Sequence, residues 1–179
     1  MENIIKTSKF DADFDGIKWA IAARSNDETR KNIQSVNVDN GLVVATNGHR
    51  LHCYMADRDI PSGTYAIVKE TKDVIILDKT DLEYPDYERV FPQHTHNGIK
   101  DLSTHTRAGK NSALDHETNV LNHILRQSQN CFNVKYLLDA CPANEDLHFE
   151  QCGEAGDLKP LVIRNQDYTK AALVMPYRD

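Results

Sequence analysis

The sequence lacks the features that mark membrane proteins, secreted proteins and disulfide-stabilised proteins. No apolar run approaches the roughly 20 residues that span a bilayer, and the amino-terminal residues have neither the basic head nor the apolar body of a signal peptide. The chain has only 4 cysteines, and no two of them are spaced as CxxC. We therefore expect a cytoplasmic protein whose cysteines are reduced and simply packed.

Signatures of catalysis are also missing. The sequence contains no GxSxG, P-loop or HExxH motif, and no cysteine lies in a recognisable nucleophile motif. Histidines are concentrated in one polar segment, where two aspartates could join them as metal ligands. The residues concerned are His94, His96, His105, His116, Asp101 and Asp115. Because their spacing matches no compact ligand motif, we interpret them as solvated loop residues and predict a non-catalytic protein with no cofactor and no bound metal.

Cationic charge is in the minority, since 21 lysines and arginines stand against 27 aspartates and glutamates and the net charge is −6. This excess of acid argues against binding to nucleic acid through bulk electrostatics. With 179 residues, of which 40% are hydrophobic, the chain is long enough for one domain with a substantial core, or at a stretch for two small ones.

The strongest positive signal is the dipeptide Asn47-Gly48, which lies between the apolar run 42–45 and the alternating run 50–55. Asn-Gly between two such runs predicts a β-hairpin, because both residues accept positive φ at low cost. The turn would bring a hydroxyl, an imidazole, a guanidinium and an apolar side chain to the mouth of a sheet. These side chains belong to Thr46, His49, Arg50 and Leu51. Such a mixture is typical of a recognition pocket.

Hydrophobic periodicity predicts a first unit of strand, helix and three strands. The elements are a strand at 2–8, a helix from Asp13 to Arg24, and strands at about 32–39, 41–46 and 49–56. Two apolar segments, 65–68 and 74–77, follow as either a hairpin or a strand and a short turn. Prolines at both ends of 85–92 favour an extended connector. The polar segment 93–116 is expected to be a flexible insert or linker.

The same order of elements then returns. It comprises a strand at 120–127, a helix capped by Asn133 and ended by Pro142, and strands at about 146–152, 160–165 and 170–176. The sequence thus predicts a single α+β domain over 1–179, built from two βαβββ units at 1–92 and 117–179. We expect antiparallel sheets with two helices on one face.

Four stretches of the sequence resemble the sliding clamp, the β subunit of bacterial DNA polymerase III. They are Ala45–Leu51, Tyr84–Pro92, Phe132–Ala140 and Leu173–Arg178, and they occur in the order of that family. The chain looks like the front half of the family's middle domain joined to the back half of its last domain. Asn47 stands where the family usually has aspartate. The resemblance implies a clamp fold, and in the family two subunits of three domains form a ring around DNA.

The resemblance also implies a pocket for short peptides from polymerases and clamp loaders. The matching positions are Thr46, Gly48, His49, Arg50, Leu51, Pro85, Arg89, Val90, Leu173, Val174 and Met175. An apolar trough would come from Leu51, Val90, Leu173 and Met175, with Met175 able to adapt to different peptides. Arg50, Arg89 and His49 would supply charge and hydrogen bonds at the rim of this trough.

For DNA, the resemblance implies encirclement with cationic side chains on inward-facing helices. The candidates are Lys18, Arg24 and Lys135. The competing interpretation is that these residues form an ordinary solvated helix face. The sequence therefore leaves two functions open: a processivity factor that encircles duplex DNA as a homo-oligomer, and a single-domain decoy or regulator that binds clamp-interaction peptides without encircling DNA.

Overall fold

The computed structural model describes residues 4–91, 99–101, 121–122, 124, 128, 130–142, 145–152 and 159–177. It divides the chain into two compact units, Met1–Asp86 and Tyr87–Asp179. The strand pairings described within each unit are antiparallel. The predicted α+β class with antiparallel sheets is therefore confirmed.

The first unit is a sheet with two short helices. Its elements are β1 (Ile4–Ser8), α1 (Phe14–Ile21), α2 (Lys31–Gln34), β2 (Val36–Asp39), β3 (Leu42–Thr46), β4 (Arg50–Met55), β5 (Gly63–Glu70) and β6 (Val74–Thr80). The strand order in this sheet is β1-β6-β5-β2-β3-β4. The chain turns from β2 to β3 through Asn40 and Gly41, both at positive φ. Such a tight turn needs residues that tolerate the left-handed region, as these two do.

Helix α1 supplies one wall of the core of the first unit. Phe14, Ile17, Ala20 and Ile21 are buried, as their helical spacing predicts, and they pack with side chains of the sheet. The helix contacts β3 and β4. Close approach to β4 requires Gly16, because an added Cβ would lie 2.2 Å from Cζ of Tyr54.

The elements of the second unit are β7 (Ile99–Asp101), α3 (Val134–Ala140), β8 (Leu147–Cys152), β9 (Leu161–Asn165) and β10 (Lys170–Val174), preceded by a 3₁₀ turn at Glu88–Val90. The strand order is β10-β9-β8-β7, and α3 contacts β10. Asn133 caps α3 as predicted, since its side chain accepts a hydrogen bond from the amide of Tyr136. Leu137 and Ala140 form the buried face of the helix.

The structure resolves the alternative that the sequence left open for 65–77, which is a hairpin of β5 and β6. It also corrects the start of the strand predicted at 32–39, where α2 precedes β2. Ser35 stabilises that helical turn, because its hydroxyl donates to the carbonyl of Lys31 at 3.0 Å. The side chain of Ile33 is buried from within the turn, so an apolar residue did not require a strand.

The strand predicted at 120–127 is wrong, because Leu121, Asn122 and Ile124 are helical. Their apolar residues are three apart, which suits a helix face as well as it suits a strand, and the side chain of Ile124 is buried. The predicted insert at 93–116 contains the short strand β7, which pairs with β8. The rest of that segment, including its four histidines, lies outside the described residues.

We expect Gly16→Ala to lower the free energy of unfolding by about 1–3 kcal/mol, the usual cost of overpacking a core. Alanine favours a helix by about 1 kcal/mol relative to glycine, but the hydroxyl of Tyr54 is held by Asp13 at 2.8 Å, so its ring cannot move aside freely. Urea unfolding measures the change, with Asp15→Ala on the exposed side of the same helix as the control. A Gly16→Ala protein as stable as the wild type would contradict this packing.

Candidate functional site

The turn between β3 and β4 is closed by Thr46. Thr46 pairs with Leu51, so four residues lie between the paired positions. The Thr46 hydroxyl donates to the carbonyl of Arg50 at 2.6 Å and accepts from the amide of Gly48 at 3.0 Å. Gly48 has φ +91°, which glycine adopts without strain. The loop is longer than the two-residue turn that Asn-Gly suggests, although it lies where the sequence predicts.

Asn47 provides the second internal support of this turn. Its side-chain oxygen accepts hydrogen bonds from the amides of His49 and Arg50, at 2.9 and 3.1 Å. This is an Asx-type turn, in which the side chain replaces a backbone acceptor. With its amide fixed in this way, the His49 side chain is presented on the exposed surface of the loop.

Arg50 lies beneath the turn and not at a solvated rim, so that part of the sequence interpretation is wrong. Its side chain is 6% exposed, and Nη2 donates to the carbonyl of Ala22 at 2.5 Å. Ala22 caps the carboxyl end of α1, where the last carbonyls have no partner within the helix. A buried arginine at this position satisfies one of them and complements the helix dipole.

Two more side chains of β4 extend this contact along α1. His52 is fully buried, its ring stacks on Trp19 with centroids 4.4 Å apart, and Nδ1 lies 3.0 Å from the Trp19 carbonyl. Because a carbonyl can only accept, Nδ1 carries the proton. Sequence reasoning missed this pair. The available signal was the alternation of long polar side chains at 50, 52 and 54 in a strand that is otherwise apolar.

The third of these contacts joins Tyr54 to Asp13. The Tyr54 hydroxyl donates to Asp13 Oδ1 at 2.8 Å, and the same carboxylate accepts from the amides of Asp57 at 2.8 Å and Arg58 at 3.3 Å. Burial, followed by the hydrogen bond to this carboxylate, raises the pKa of Tyr54 above its ordinary value. Asp13, where the sequence predicts that the helix begins, is therefore a buried anchor for the loop after β4.

The connector 84–91 presents its predicted residues to solvent. Pro85, Arg89 and Val90 are all exposed, and Val90 keeps 47% of its surface accessible. Instead of being extended throughout, the connector contains one 3₁₀ turn. That turn is closed by the amide of Val90 on the carbonyl of Tyr87 at 3.2 Å.

Met175 is the accessible member of the three predicted residues at the end of β10. Leu173 and Val174 are buried, whereas Met175 is 36% exposed. The chain is held immediately after it, because Pro176 bridges to Phe132. Met175 therefore lies between the end of β10 and the bridge that Pro176 forms with Phe132.

The predicted peptide-binding residues are divided between the two units. Thr46, Gly48, His49, Arg50, Leu51 and Pro85 belong to the first unit, and Arg89, Val90, Leu173, Val174 and Met175 belong to the second. Of the four predicted trough residues, Leu51 and Leu173 are buried at 3% and 2% exposure. Val90 and Met175 are the two that offer apolar surface. Convergence of the two sets into one groove stays a prediction.

The three candidate DNA-binding cations differ in their surroundings. Arg24 pairs with Glu70 at 2.7 Å and donates to the carbonyl of Ile21. Lys135 pairs with Asp139 at 2.8 Å, but its side chain is 74% exposed, and exposed pairs of this kind are weak. Lys18 has Nζ 5.5 Å from the ring centroid of Phe14.

Within the described ranges, we find no group of three or more histidine, cysteine, aspartate or glutamate side chains that could hold a metal ion. Among the same residues, no helix is long and apolar enough to cross a membrane. The cytoplasmic location stays a prediction.

Comparison with known proteins identifies the fold. No family model matches the chain, and no curated protein matches it. Among solved structures, it is similar to the DNA polymerase sliding clamp of Bacillus subtilis, with 19% identity and a TM-score of 0.60 over 98% of this chain and 64% of that one. The Pseudomonas aeruginosa sliding clamp bound to griselimycin gives 18% identity and 0.56, over 98% and 66%.

The DNA polymerase III beta chain of Streptococcus pneumoniae gives 12% identity and a TM-score of 0.60, and covers 100% of this chain and 66% of that one. The chain thus spans about two thirds of the length of these clamps. It has the sliding-clamp fold, as the sequence resemblance implied.

We expect Arg50→Ala to lower the free energy of unfolding by about 1.5–3 kcal/mol, the usual contribution of a hydrogen bond to a charged group. The substitution leaves the Ala22 carbonyl without its donor and removes buried guanidinium packing. His49→Ala is the matched control, because that neighbouring side chain is exposed and should change stability by no more than about 0.5 kcal/mol. Equal urea midpoints for the two variants would show that Arg50 does not anchor the turn.

Proposed function

We propose that this protein is a non-catalytic, sliding-clamp-like protein that binds short clamp-interaction peptides of replication proteins and acts as a DNA polymerase processivity factor. The observation that carries the proposal is the match to sliding clamps over 98% of the chain. It is supported by the order of the four sequence stretches that resemble the family. Polymerase and clamp-loader peptides are the proposed partners.

The proposed peptide site divides its residues by accessibility. Val90 and Met175 are accessible apolar side chains and would contact the peptide directly, and an unbranched thioether adapts well to different partners. Leu51, Leu173 and Val174 are buried and would support the floor from beneath. The amide of Val90 is held by the carbonyl of Tyr87, and Met175 is followed by the bridge of Pro176 to Phe132, which limits the ordering cost of binding.

The polar members of the site have separate roles in this proposal. Thr46 and Gly48 shape the turn, and His49 offers a hydrogen bond from its exposed loop. Arg89 lies with Pro85 in the exposed connector, where a guanidinium would steer peptide carboxylates more than it would add affinity. Arg50 acts as a positioning residue, since its guanidinium is committed to Ala22.

A peptide with glutamine, leucine and a terminal aromatic or leucine anchor should bind with micromolar affinity, about −8 kcal/mol. Met175→Ala should weaken binding by roughly 1–2 kcal/mol, because it removes an apolar contact. Arg89→Ala should cost less. Met55→Ala is the matched control, because that methionine is 43% exposed on β4. Calorimetric titration of the four proteins decides the question.

If the peptide binds the wild type no better than it binds Met175→Ala, the proposed groove is only part of the core. A loss of the same size in Met55→Ala would place the peptide on β4 and would also contradict the proposed site.

The second candidate function is a regulator that binds clamp-interaction peptides without encircling DNA. Two observations favour it: the net charge is −6, and Arg24 is paired with Glu70 at 2.7 Å. The two functions differ in assembly, because encirclement needs enough copies of the chain to close a ring. Light scattering on the purified protein therefore separates them.

For the ring-forming function, we expect retention on closed circular duplex DNA that is lost when the DNA is linearised. Binding to linear duplex should be weak and steeply salt-dependent, as for any interaction with phosphates. Replacing Lys18 and Lys135 together by glutamate should reduce retention, whereas Lys72→Glu on the β5–β6 hairpin should leave it unchanged. Equal retention on circular and linear DNA, or a monomeric mass, would exclude the ring and leave the regulator.

A further inference from the structure

A polar groove of about 540 Å³ lies in the first unit, apart from the proposed peptide site. One wall is the segment that joins α1 to β2, including Arg24, Lys31 and Ser35. The opposite wall is the second half of β5, Ala66–Glu70. No residue of the proposed clamp-peptide site lines this groove, so it needs an explanation of its own.

The groove exists because β5 is longer than its neighbour β2. Val36, the first residue of β2, lies opposite Tyr65, and the pairing of β2 with β5 goes no further along β5. The chain before Val36 leaves the sheet through Ser35 into α2. On its other side β5 continues to pair with β6 as far as Glu70. Among the described strands, Ala66–Glu70 therefore has a neighbour on one side and the groove on the other.

An edge of this kind offers backbone donors and acceptors to an additional strand. The edge also has an apolar contact point, because a register shift between Ile67 and Lys69 leaves Val68 bulged and 64% exposed. Leu82, which is 39% exposed, lines the same groove. Backbone hydrogen bonds and one or two apolar pockets are the usual requirements for recognising an extended peptide.

The charges of the groove indicate the chemistry of its ligand. Lys31 and Lys69 face it from opposite walls, and neither forms an ion pair within the described part of the chain. Arg24 and Glu70 neutralise each other at 2.7 Å, which leaves Glu28 as the remaining acid among the lining residues. Two uncompensated lysines against one carboxylate favour an acidic ligand.

We propose that this groove binds an extended, acidic segment of a partner protein, which adds a strand along Ala66–Lys69 and stops short of the Arg24–Glu70 pair that joins the two walls. The acidic side chains of the segment pair with Lys31 and Lys69, and an apolar side chain packs on Val68. The site is separate from the clamp-peptide site, and the proposal stands whether or not that proposed function is correct.

The probe is a fluorescein-labelled peptide of about seven residues, the usual length of a strand, in which aspartate and valine alternate. Fluorescence anisotropy should give a dissociation constant in the range of tens of micromolar, typical of a small exposed interface. The combined substitution Lys31→Glu and Lys69→Glu should weaken binding about tenfold or more. Lys72→Glu is the matched control, since Lys72 is an exposed lysine at the end of the same hairpin and does not line the groove.

Two further measurements distinguish the mode of binding. A peptide of the same sequence with N-methyl groups on alternate backbone amides should lose binding, because it cannot complete a strand ladder. The Met175→Ala protein should bind the acidic peptide with the same affinity as the wild type does. A negative result for the clamp-interaction peptide therefore leaves the test of this groove unaffected, and the reverse also holds.

Absence of binding by the acidic peptide would overturn the proposal, and so would equal binding to the wild type and the double lysine variant. Unchanged affinity of the N-methylated peptide would exclude a strand. If a short DNA duplex bound in a lysine-dependent manner and the peptide did not, the groove would be a cationic contact for phosphates and the peptide proposal would fail.

Discussion

The packing of α1 against β4 is the interaction on which the first unit depends. Alternate residues of the strand, 50, 52 and 54, meet residues 22, 19 and 13 of the helix and its flanks through a guanidinium, a stacked ring and a phenol. Each pair of strand residues advances about 6.7 Å, whereas the matching steps along the helix are three and then six residues, about 4.5 and 9 Å, so the middle contact is out of register although the full spans agree at about 13.5 Å. Long side chains with polar ends absorb this difference, which short aliphatic side chains could not do. Gly16 removes the remaining obstacle by letting the ring of Tyr54 lie against the helix backbone.

The packing of α1 against β4 connects the core to the turn that carries the candidate site. The side chain of Arg50 holds the end of α1, while its carbonyl accepts from the hydroxyl of Thr46 on the opposite strand. One residue thus belongs to both the helix contact and the turn. Asn47 and Gly48 complete the loop with local bonds, so His49 is presented by a backbone that needs little ordering when a ligand arrives. The turn is pre-organised because Arg50, the residue at its base, is buried.

Features set by neighbouring residues could be predicted from the sequence, and features set by distant ones could not. The Asn47-Gly48 turn, the buried face of α1 and the Asn133 cap each depend on a few consecutive side chains. The burial of Arg50 depends on a carbonyl 28 positions away in the chain. The helical residues near Ile124 were missed because apolar residues three apart fit two kinds of element. Convergence of the candidate peptide site depends on the relation of two units, and no local pattern encodes that.

The side chain of Asn133 links the start of α3 to the end of the described chain, which affects local opening in the second unit. Its oxygen caps α3 through the amide of Tyr136, while its nitrogen donates to the Tyr177 hydroxyl at 3.0 Å. The amide of Tyr177 in turn donates to the carbonyl of Cys131 at 2.8 Å. These bonds join Pro176 and Tyr177, which follow Met175, to the start of the helix, so we expect the two segments to open together as one cooperative unit. The amides of Tyr177 and of the first helical turn should then exchange with solvent at similar rates. The accessibility of Met175 would follow this local opening and not the unfolding of the sheet.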